Sequence, residues 1–465
     1  MSKTASLEPS IIVIFGVTGD LSKRYLLPAL YHLFKDGQLN PDTIILGLTR
    51  QSLDADELFK HVELCINEVD NVCDPVALQA MRTKTQLYQF DPADSAAYPP
   101  LLEHLNHIEE EVGMCMNRLY YLSIPPKLFS DVVANIGAAG LNTSCQHGKA
   151  KTRLLVEKPF GHDLASAETL VSETNEVFEE AQVFRIDHYL AKETVQNILS
   201  FRRHNPVFAS IWNSAHIARI DITASEKISI EGRKNFYEGI GALRDLIQSH
   251  LLQLAAITTM DLPLEFDGDH IHLARQALLE SIAPANPSKA VRGQYDNYRD
   301  EVENPTSTTE TFASLELAIM TERWQGTCLT IKTGKSLPEK RTEIVLTFAT
   351  AQDDSHTTNT LTFRLQPNEG IHLQLRVKKP GFVDELQEAV MDFSYAQAFG
   401  TDSSHPGAYE RVLVDAIRGD RTLFATSGEV LASWRIIEPV IQAWQGNDTD
   451  LHSYPSGSNG PKTAA

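Results

Sequence analysis

Short apolar runs and amphipathic stretches alternate along the first half of the chain. The apolar runs predict strands at residues 11–15, 43–48, 87–90, 118–124, 153–156 and 183–186. Helical spacing occupies residues 21–34, 94–110, 126–138 and 164–178 between them. Nearly continuous apolar strands that alternate with helices are typical of a doubly wound parallel sheet. We therefore predict an α/β domain of the Rossmann-like class.

The pattern changes in the second half of the chain. Helical stretches at residues 241–260 and 270–282 come before a series of strands with alternating polarity. These strands are predicted at residues 312–320, 328–332, 343–349, 360–365 and 372–377, and two helices follow at 408–418 and 427–444. Clustered strands flanked by helices predict a larger α+β domain with an antiparallel sheet.

Composition narrows the possible partners and location. The chain has 465 residues and a formal charge of −20, which disfavours nonspecific binding to nucleic acid or to an anionic membrane. It has no apolar run long enough to span a membrane, and residues 1–10 do not resemble a secretory signal. Five cysteines without metal-ligand spacing favour reduced thiols, no bound metal and a cytoplasmic location.

A glycine-containing loop follows the first predicted strand and opens the first predicted helix. Glycines at such a turn let the backbone approach a pyrophosphate, which then lies at the helix N-terminus. The pattern is Gly-x-x-Gly, so an ordinary turn is the alternative, and it is not a P-loop because no Gly-Lys-Ser/Thr follows. We predict that this loop binds a dinucleotide through Gly16, Val17, Thr18, Gly19, Asp20, Leu21, Ser22 and Lys23.

The end of the second predicted strand distinguishes between the two nicotinamide cofactors. NAD enzymes place Asp or Glu there for the ribose 2′-hydroxyl, whereas NADP enzymes place Arg near the 2′-phosphate. This strand ends in Arg50-Gln51, and no carboxylate follows until Asp54. NADP is therefore the predicted cofactor, although a lone arginine beside a neutral glutamine leaves some use of NAD open.

A lysine follows the fifth predicted strand, in the sequence Glu157-Lys158-Pro159-Phe160-Gly161. The carboxyl ends of parallel strands line the ligand crevice of such a sheet. We predict that Lys158 lies between the nicotinamide side and a substrate oxygen, and a solvated lysine is the alternative. The bond before Pro159 is a candidate for the cis form.

Residues 185–197 form the most distinctive stretch, Arg-Ile-Asp-His-Tyr-Leu-Ala-Lys-Glu-Thr-Val-Gln-Asn. The stretch passes from a strand into a helix, whose N-terminus favours anions. His188, Tyr189 and Lys192 add three types of donor for a phosphate. Asp187 places a carboxylate at the same point, which an anion site alone does not need. A strand-to-helix corner with solvated polar residues is the alternative.

His250 lies on an apolar helix that also carries Asp245. A core histidine is the alternative, but hydride removal from an alcohol carbon needs a base, and histidine titrates in the right range. Five positions on an α-helix separate Asp245 from His250 by about 140°. We therefore predict that Asp187 orients His250 and that Asp245 accepts a substrate hydroxyl.

These motifs together resemble the glucose-6-phosphate dehydrogenase family. The resemblance keeps a consistent order from about residue 11 to residue 444, and the Arg-Ile-Asp-His-Tyr-Leu block is very specific to this family. Further matching segments are Glu231-Gly232-Arg233, Glu322-Arg323-Trp324, Thr333-Gly334-Lys335, Gln366-Pro367-Asn368-Glu369, Lys378-Lys379-Pro380-Gly381, Ala408-Tyr409-Glu410-Arg411 and Ser433-Trp434-Arg435.

The resemblance implies oxidation of β-D-glucose 6-phosphate to 6-phosphoglucono-1,5-lactone with hydride transfer to NADP⁺, the first oxidative step of the pentose phosphate pathway. It implies His250 as the general base, Asp187 as its partner, and a homodimer or homotetramer formed through the antiparallel sheet. The residues it implies for substrate are Lys158, His188, Tyr189, Lys192, Glu226, Asp245, Lys335, Lys340 and Gln366. Those it implies for the cofactor are residues 16–23, Arg50 and Lys158.

The predicted division of the chain follows from these assignments. It comprises an N-terminal extension (1–10), a dinucleotide-binding domain (11–186), an α+β substrate and dimerisation domain (187–447) and a flexible tail (448–465). Ala191 stands where the family has glycine, and we expect little consequence unless that backbone needs a positive φ. Some family members bind a second, structural NADP, and Arg341, Arg364 and Lys379 leave that open here.

Two other functions fit parts of the pattern. One is another Rossmann-like sugar oxidoreductase with Glu-Lys-Pro after a strand, although such proteins lack the block at residues 185–192 and many act on unphosphorylated sugars or inositols. The other is a catalytically silent NADP-binding sensor on the same fold, which would have no use for His250.

Overall fold

The computed structural model describes residues 7–52, 54–70, 72–144, 150–232, 234–349, 358–400, 406–447 and 449–462. Of the positions discussed above, residues 1–6, Arg233, Asp448 and residues 463–465 lie outside these ranges.

The described strands run along the whole chain. They are β1 (Ser10–Phe15), β2 (Ile44–Thr49), β3 (Thr85–Gln89), β4 (Asn117–Leu122), β5 (Thr152–Val156), β6 (Val183–Ile186), β7 (Ile217–Ser225), β8 (Ala290–Tyr295), β9 (Phe312–Leu317), β10 (Cys328–Gly334), β11 (Arg341–Phe348), β12 (Thr360–Gln366), β13 (Gly370–Lys378), β14 (Leu386–Ser394), β15 (Phe424–Ala425) and β16 (Leu451–Tyr454).

The described helices lie between these strands. They are α1 (Leu27–Lys35), α2 (Ala55–Asp70), α3 (Pro75–Thr83), α4 (Tyr98–Val112), α5 (Phe129–Ala138), α6 (Leu164–Val177), α7 (Glu193–His204), α8 (Pro206–Ala209), α9 (Lys234–Tyr237), α10 (Leu252–Thr259), α11 (Gly268–Ser281), α12 (Tyr298–Glu301), α13 (Tyr395–Phe399), α14 (Ala408–Arg418) and α15 (Ser427–Trp444). Ser22–Leu26 and Leu243–Leu251 are π-helical.

The chain forms two compact units. The first unit consists of Met1–Gly161, Ala165–Ala191 and Pro406–Ser427, and the second unit of His162–Leu164, Lys192–His405 and Gly428–Ala465. Residues 406–427 thus belong with the N-terminal unit, although they are distant from it in sequence. The domain limits given above stay a prediction.

The first unit contains a doubly wound sheet with strand order β15-β6-β5-β4-β1-β2-β3. The pairings from β6 to β3 are parallel, and β15 joins β6 in the antiparallel sense. Strand β1 is fully buried because both faces of the sheet are covered. The predicted Rossmann-like domain is confirmed. The sequence did not reveal β15, which has two residues and is held by an edge-to-face contact between Phe424 and Phe184.

The second unit contains a larger sheet with strand order β14-β13-β12-β11-β7-β10-β9-β8-β16. Its pairings are antiparallel except β7 with β10 and β8 with β16, so the predicted, mostly antiparallel α+β domain is confirmed. The sequence analysis did not predict β7, β8, β14 or β16. Strand β14 is exposed along most of its length, so no buried face imposes alternation on its sequence.

The segment predicted as a flexible tail differs from that prediction where it is described. Strand β16 pairs in parallel with β8, and Tyr454 is buried with 1% of its surface exposed. The ring of Pro461 lies close to Gly293 of β8. A composition rich in Ser, Gly and Pro predicted a flexible segment. Instead, one buried aromatic side chain and a strand pairing hold the segment to the sheet.

The prediction of five reduced thiols is wrong at one residue. Cys115 is disulfide-bonded, whereas Cys65, Cys73 and Cys328 are free. Cys145 lies outside the described residues. Among the described helices, none combines the length and the apolar character that crossing a bilayer requires.

Candidate active site

The carboxyl ends of β1 and β4 meet where the strand order of the parallel sheet reverses. Gly16 follows β1 with φ +83°, and a Cβ built on it would lie 2.4 Å from the Ser123 carbonyl oxygen after β4. Ser22 Oγ donates to Gly16 O (3.0 Å) and also lies 3.1 Å from Ser123 Oγ. Gly19 N–H donates to Gly16 O. Glycine is therefore required here by space and by conformation.

A cavity of about 310 Å³ opens beside this turn. Gly16, Thr18, Gly19 and Arg50, four of the residues predicted to bind a dinucleotide, line it. Further lining residues include Phe90, Ser123, Pro125 and Lys127. The sequence analysis missed Lys127, which stands in a 3₁₀ turn after β4 and adds a second cation to the lining. The glycine turn and the two cations fit a dinucleotide phosphate.

The remaining loop residues divide between the core and the surface. Val17 is fully buried, and its N–H donates to Leu48 O of β2. Asp20 forms an exposed ion pair with Arg24 at 2.9 Å. Leu21 precedes the π-helical turn that contains Lys23, and π-helical turns are frequent at functional sites.

Glu157, directly after β5, accepts two hydrogen bonds in a partly buried network. Tyr121 Oη of β4 donates to Glu157 Oε1 (2.5 Å), and His188 Nε2 lies 3.3 Å from Glu157 Oε2. Burial and the Glu157 charge raise the pKa of Tyr121, so its hydroxyl stays protonated and donates. Lys158 follows in the same turn, and the Lys158–Pro159 bond is cis.

The predicted phosphate ligand His188 packs on an aromatic stack. Its ring centroid lies 4.1 Å from that of Tyr409, and Tyr409 stacks on Tyr25 at 5.4 Å with an interplanar angle of 11°. Burial, reinforced by the charge of Glu157, raises the pKa of Tyr409. The sequence analysis noted residue 409 as part of a matching segment but assigned it no role, because nothing in its local sequence indicates that it contacts His188.

Asp187 is buried at the start of the same turn, with 1% of its surface exposed. Its Oδ1 accepts the N–H of Tyr189 at 2.9 Å, which is the geometry of an Asx turn. The turn therefore fixes the direction of the carboxylate. Ala191 is not among the described residues with positive φ, so the replacement of glycine there causes no backbone strain.

Two pairs of predicted substrate residues form in the second unit. Lys192 precedes α7, and its Nζ donates to Gln366 Oε1 at 2.9 Å. Gln366 is oriented in turn by donation to Thr342 Oγ1. Lys335, directly after β10, is buried and forms an ion pair with Glu226. Sequence spacing alone did not reveal either pair.

Tyr237 lies beneath the Lys335–Glu226 pair and was also missed. Lys335 Nζ lies 5.1 Å from the centroid of its ring. Burial raises the pKa of Tyr237, and the charges of Asp245, Glu310 and Glu226 raise it further. Among the described residues, its hydroxyl has no hydrogen-bond partner. One local electrostatic environment therefore surrounds Glu226, Lys335, Tyr237 and Asp245.

The helix that carries Asp245 and His250 is π-helical rather than α-helical over Leu243–Leu251. In a π-helix, residue i bonds to residue i+5, so side chains five positions apart lie near each other. The separation of about 140° that was derived for an α-helix therefore does not apply to Asp245 and His250. Glu310 Oε1 accepts the Leu243 N–H at 3.0 Å, and a Cβ at Gly241 would collide with that carboxylate.

Lys340 is the predicted substrate residue with the weakest structural support. Its side chain is exposed in the turn before β11, and none of the described residues pairs with it. The three cations considered for a second nucleotide already have carboxylate partners: Arg341 and Arg364 pair with Glu343, and Lys379 pairs with Glu385.

Known proteins match the chain over both units. A family model described as glucose-6-phosphate dehydrogenase, NAD binding domain, matches residues 13–197, and one described as glucose-6-phosphate dehydrogenase, C-terminal domain, matches residues 199–465. Glucose-6-phosphate 1-dehydrogenase of Chlamydia pneumoniae is 38% identical over 490 residues, with 100% of this chain and 95% of the relative covered. The chain belongs to the glucose-6-phosphate dehydrogenase family.

Other members of the glucose-6-phosphate dehydrogenase family are similar to this chain in sequence and in structure. Glucose-6-phosphate 1-dehydrogenase 5, cytoplasmic, of Arabidopsis thaliana is 36% identical, with 100% of this chain and 91% of the relative covered. A solved glucose-6-phosphate dehydrogenase in complex with glucose 6-phosphate has a TM-score of 0.91 at 31% identity, with 98% and 97% of the two chains covered. KijD10, a 3-ketoreductase of Actinomadura kijaniata, shares the fold alone, at 13% identity and a TM-score of 0.51.

Replacement of Gly16 by alanine tests the nucleotide turn. The Cβ would meet the Ser123 carbonyl oxygen, so the turn must shift, and we expect the affinity for NADP to fall by at least about tenfold. Fluorescence titration with NADPH measures the loss. Gly37→Ala is the matched control, because Gly37 also has positive φ (+61°) but open space around its Cβ position. Equal NADPH affinity in both variants would contradict the assigned role of the Gly16 turn.

Proposed function

We propose that the chain oxidises β-D-glucose 6-phosphate to 6-phosphoglucono-1,5-lactone with NADP⁺ as the hydride acceptor. The observation that carries this proposal is the match to glucose-6-phosphate dehydrogenases over both units. The chain has a glycine turn suited to a dinucleotide, and it pairs lysines with polar partners at positions that the family resemblance assigns to substrate.

NADP, when bound at the Gly16 turn, supplies the nicotinamide carbon that accepts the hydride. Arg50 and Lys127 line the adjoining cavity, and two cations favour a 2′-phosphate more than one does. This second cation strengthens the preference for NADP that Arg50 alone suggested. Some turnover with NAD remains compatible, since Arg50 and the neutral Gln51 beside it do not repel the ribose 2′-hydroxyl of NAD.

His188, Tyr189 and Lys192 are proposed to bind the 6-phosphate. The position of His188 is fixed by Glu157 and Tyr409, and that of Lys192 by Gln366. Groups held in advance lose less conformational entropy on binding than free side chains do. We further propose that Lys158, Glu226, Asp245, Lys335, Lys340 and Gln366 contact the sugar, with the carboxylates accepting its hydroxyl hydrogens.

His250 is proposed to remove the proton from the C1 hydroxyl, and Asp187 to be the carboxylate that orients it. A neutral imidazole can accept this proton near neutral pH, and an adjacent carboxylate stabilises the imidazolium that forms. The Tyr189 N–H supports this role, because it holds the Asp187 carboxylate in one orientation.

Absorbance of the reduced nicotinamide tests the proposed reaction. Purified protein should reduce NADP⁺ to NADPH with glucose 6-phosphate, should reduce NAD⁺ to NADH more slowly, and should act on unphosphorylated glucose far more slowly. A preference for an unphosphorylated sugar would instead indicate the other class of Rossmann-like sugar oxidoreductase. Absence of turnover with all substrates, together with NADP binding, would indicate a sensor.

His250→Asn should lower kcat by about two to four orders of magnitude, because the amide cannot accept the hydroxyl proton. The KM for glucose 6-phosphate should stay within a few-fold of the wild-type value. Steady-state kinetics at saturating NADP⁺ measure both quantities. Near wild-type turnover would rule out His250 as the base.

Lys192→Ala provides the contrasting variant, since it removes a proposed phosphate ligand and leaves the base in place. Its KM for glucose 6-phosphate should rise by about ten- to a hundredfold, the usual cost of losing a charged hydrogen bond. An unchanged KM would contradict the proposed phosphate site.

We propose that the chain forms a homodimer or homotetramer through the sheet of the second unit. The edge strand β14 and the segments before and after it expose several apolar side chains: Phe382, Val383, Val390, Met391 and Phe399. Exposed apolar side chains on and beside an edge strand favour association. Light scattering should give a mass at least twice that of one chain, and Met391→Asp should lower it. A monomeric wild-type protein would overturn this proposal.

We also propose a cytoplasmic location, with no nucleic-acid or membrane partner. The cytoplasmic designation of the Arabidopsis relative and the −20 charge support this proposal. The disulfide at Cys115 argues in the opposite direction, because reducing compartments keep thiols reduced.

A further inference from the structure

The backbone at Lys335 leaves the sheet directly after β10. The Lys335 N–H donates to Thr311 O at 2.9 Å, and the next residue, Ser336, turns the chain with a φ of 51°. The Ser336 N–H donates to Ile228 O at 2.9 Å. These two bonds use the N–H groups of this turn, residues 335–336, whereas its carbonyl groups need other partners.

The C-terminal segment, residues 451–461, supplies those partners. Tyr454 Oη donates to Lys335 O at 2.7 Å, and the Gly457 N–H donates to Ser336 O at 2.6 Å. A buried carbonyl without a partner costs about as much free energy as a lost hydrogen bond. Two bonds from the end of the chain therefore fix the turn that carries the buried Lys335 side chain.

The C-terminal segment is itself held in place by the sheet of the second unit. Besides the pairing of β16 with β8, the Tyr454 ring makes edge-to-face contacts with Phe312 and Tyr295. Tyr454 Oη also lies 2.8 Å from Thr311 Oγ1. Its hydroxyl therefore has a defined position from which it fixes Lys335.

We infer that Tyr454 is a positioning residue for Lys335, and that the C-terminal segment thereby contributes to substrate binding. This inference rests on the proposed contact of Lys335 with the sugar phosphate. Tyr454 acts through the backbone, since its hydroxyl contacts the Lys335 carbonyl. The ammonium group of Lys335 then meets Glu226 and the ring of Tyr237 at a fixed place. Without the Tyr454 hydroxyl, the turn gains freedom and the ammonium loses that fixed place.

Steady-state kinetics of Tyr454→Phe provide the first test. Loss of one hydrogen bond to the turn should raise the KM for glucose 6-phosphate by about fivefold. The kcat and the KM for NADP⁺ should stay at wild-type values, because the nucleotide site and the base are unchanged. A purely structural tyrosine would lower the unfolding temperature without this selective change in one KM.

Tyr295→Phe is the matched control. Tyr295 is equally buried, packs against Tyr454, and donates its hydroxyl hydrogen to Glu301 (2.6 Å) rather than to the Lys335 turn. It should lower the unfolding temperature comparably and leave the KM for glucose 6-phosphate unchanged. If both variants keep the wild-type KM, the positioning role is wrong.

Trace acetylation of the full chain separates this inference from the proposed reaction. N-hydroxysuccinimide acetate, with peptide mass spectrometry, measures the labelling rate of Lys335 in the absence of substrate. The rate should be several-fold higher in Tyr454→Phe than in wild type or Tyr295→Phe, since a freer turn exposes the ammonium. The exposed Lys340 is the internal reference and should label equally in all three proteins.

The outcomes distinguish the two hypotheses. Equal Lys335 rates in the three proteins would contradict the inference, whatever the enzymatic activity. A raised rate in Tyr454→Phe, combined with absence of turnover in the wild-type protein, would overturn the proposed reaction and leave the link between Tyr454 and Lys335 intact.

Discussion

The proposed nucleotide site depends on the lack of space between the ends of β1 and β4. Any side chain at residue 16 would collide with the Ser123 carbonyl oxygen, and the Ser22 hydroxyl links the two strand ends. This close approach follows from the parallel pairing of β1 with β4, whose side chains are almost completely buried. The buried sheet thus shapes the glycine turn after β1. The cavity beside this turn is bounded by the loops that follow the neighbouring strands.

Nitrogen-bearing side chains in the proposed substrate site have protein partners before any substrate binds. His188 lies against Glu157, Lys335 against Glu226, and Lys192 donates to Gln366. A buried ammonium needs such a partner, because burial without one is very costly. A sugar phosphate must compete with these partners for the same side chains. Its binding therefore gains less free energy than the pairing of a free cation with a free anion would. In a chain with a charge of −20, binding therefore depends on local geometry more than on the overall field.

The sequence predicted those parts of the fold in which burial determines the pattern. Apart from β3, the strands that pair in parallel in the first unit are buried on both faces and appear as apolar runs, whereas β14 is exposed and has no such signal. The glycine turn and Arg50 were found for a similar reason, since local spacing specifies them. Contacts between distant residues could not be found in this way. Tyr454 meets Lys335 from 119 positions away, and nothing in the local sequence of either residue records that contact.

The π-helix over Leu243–Leu251 makes the number of residues in this segment important for the positions of its side chains. A π-helical turn accommodates one more residue than an α-helical turn, so the segment contains an extra residue that the apolar spacing does not reveal. Loss of a single residue between Asp245 and His250 would allow ordinary α-helical winding, in which residues four apart are neighbours, so the two side chains would stay on one face of the helix. Insertion of a residue at the same place would lengthen a turn that already contains one extra residue, so we expect this segment to tolerate a one-residue deletion better than a one-residue insertion.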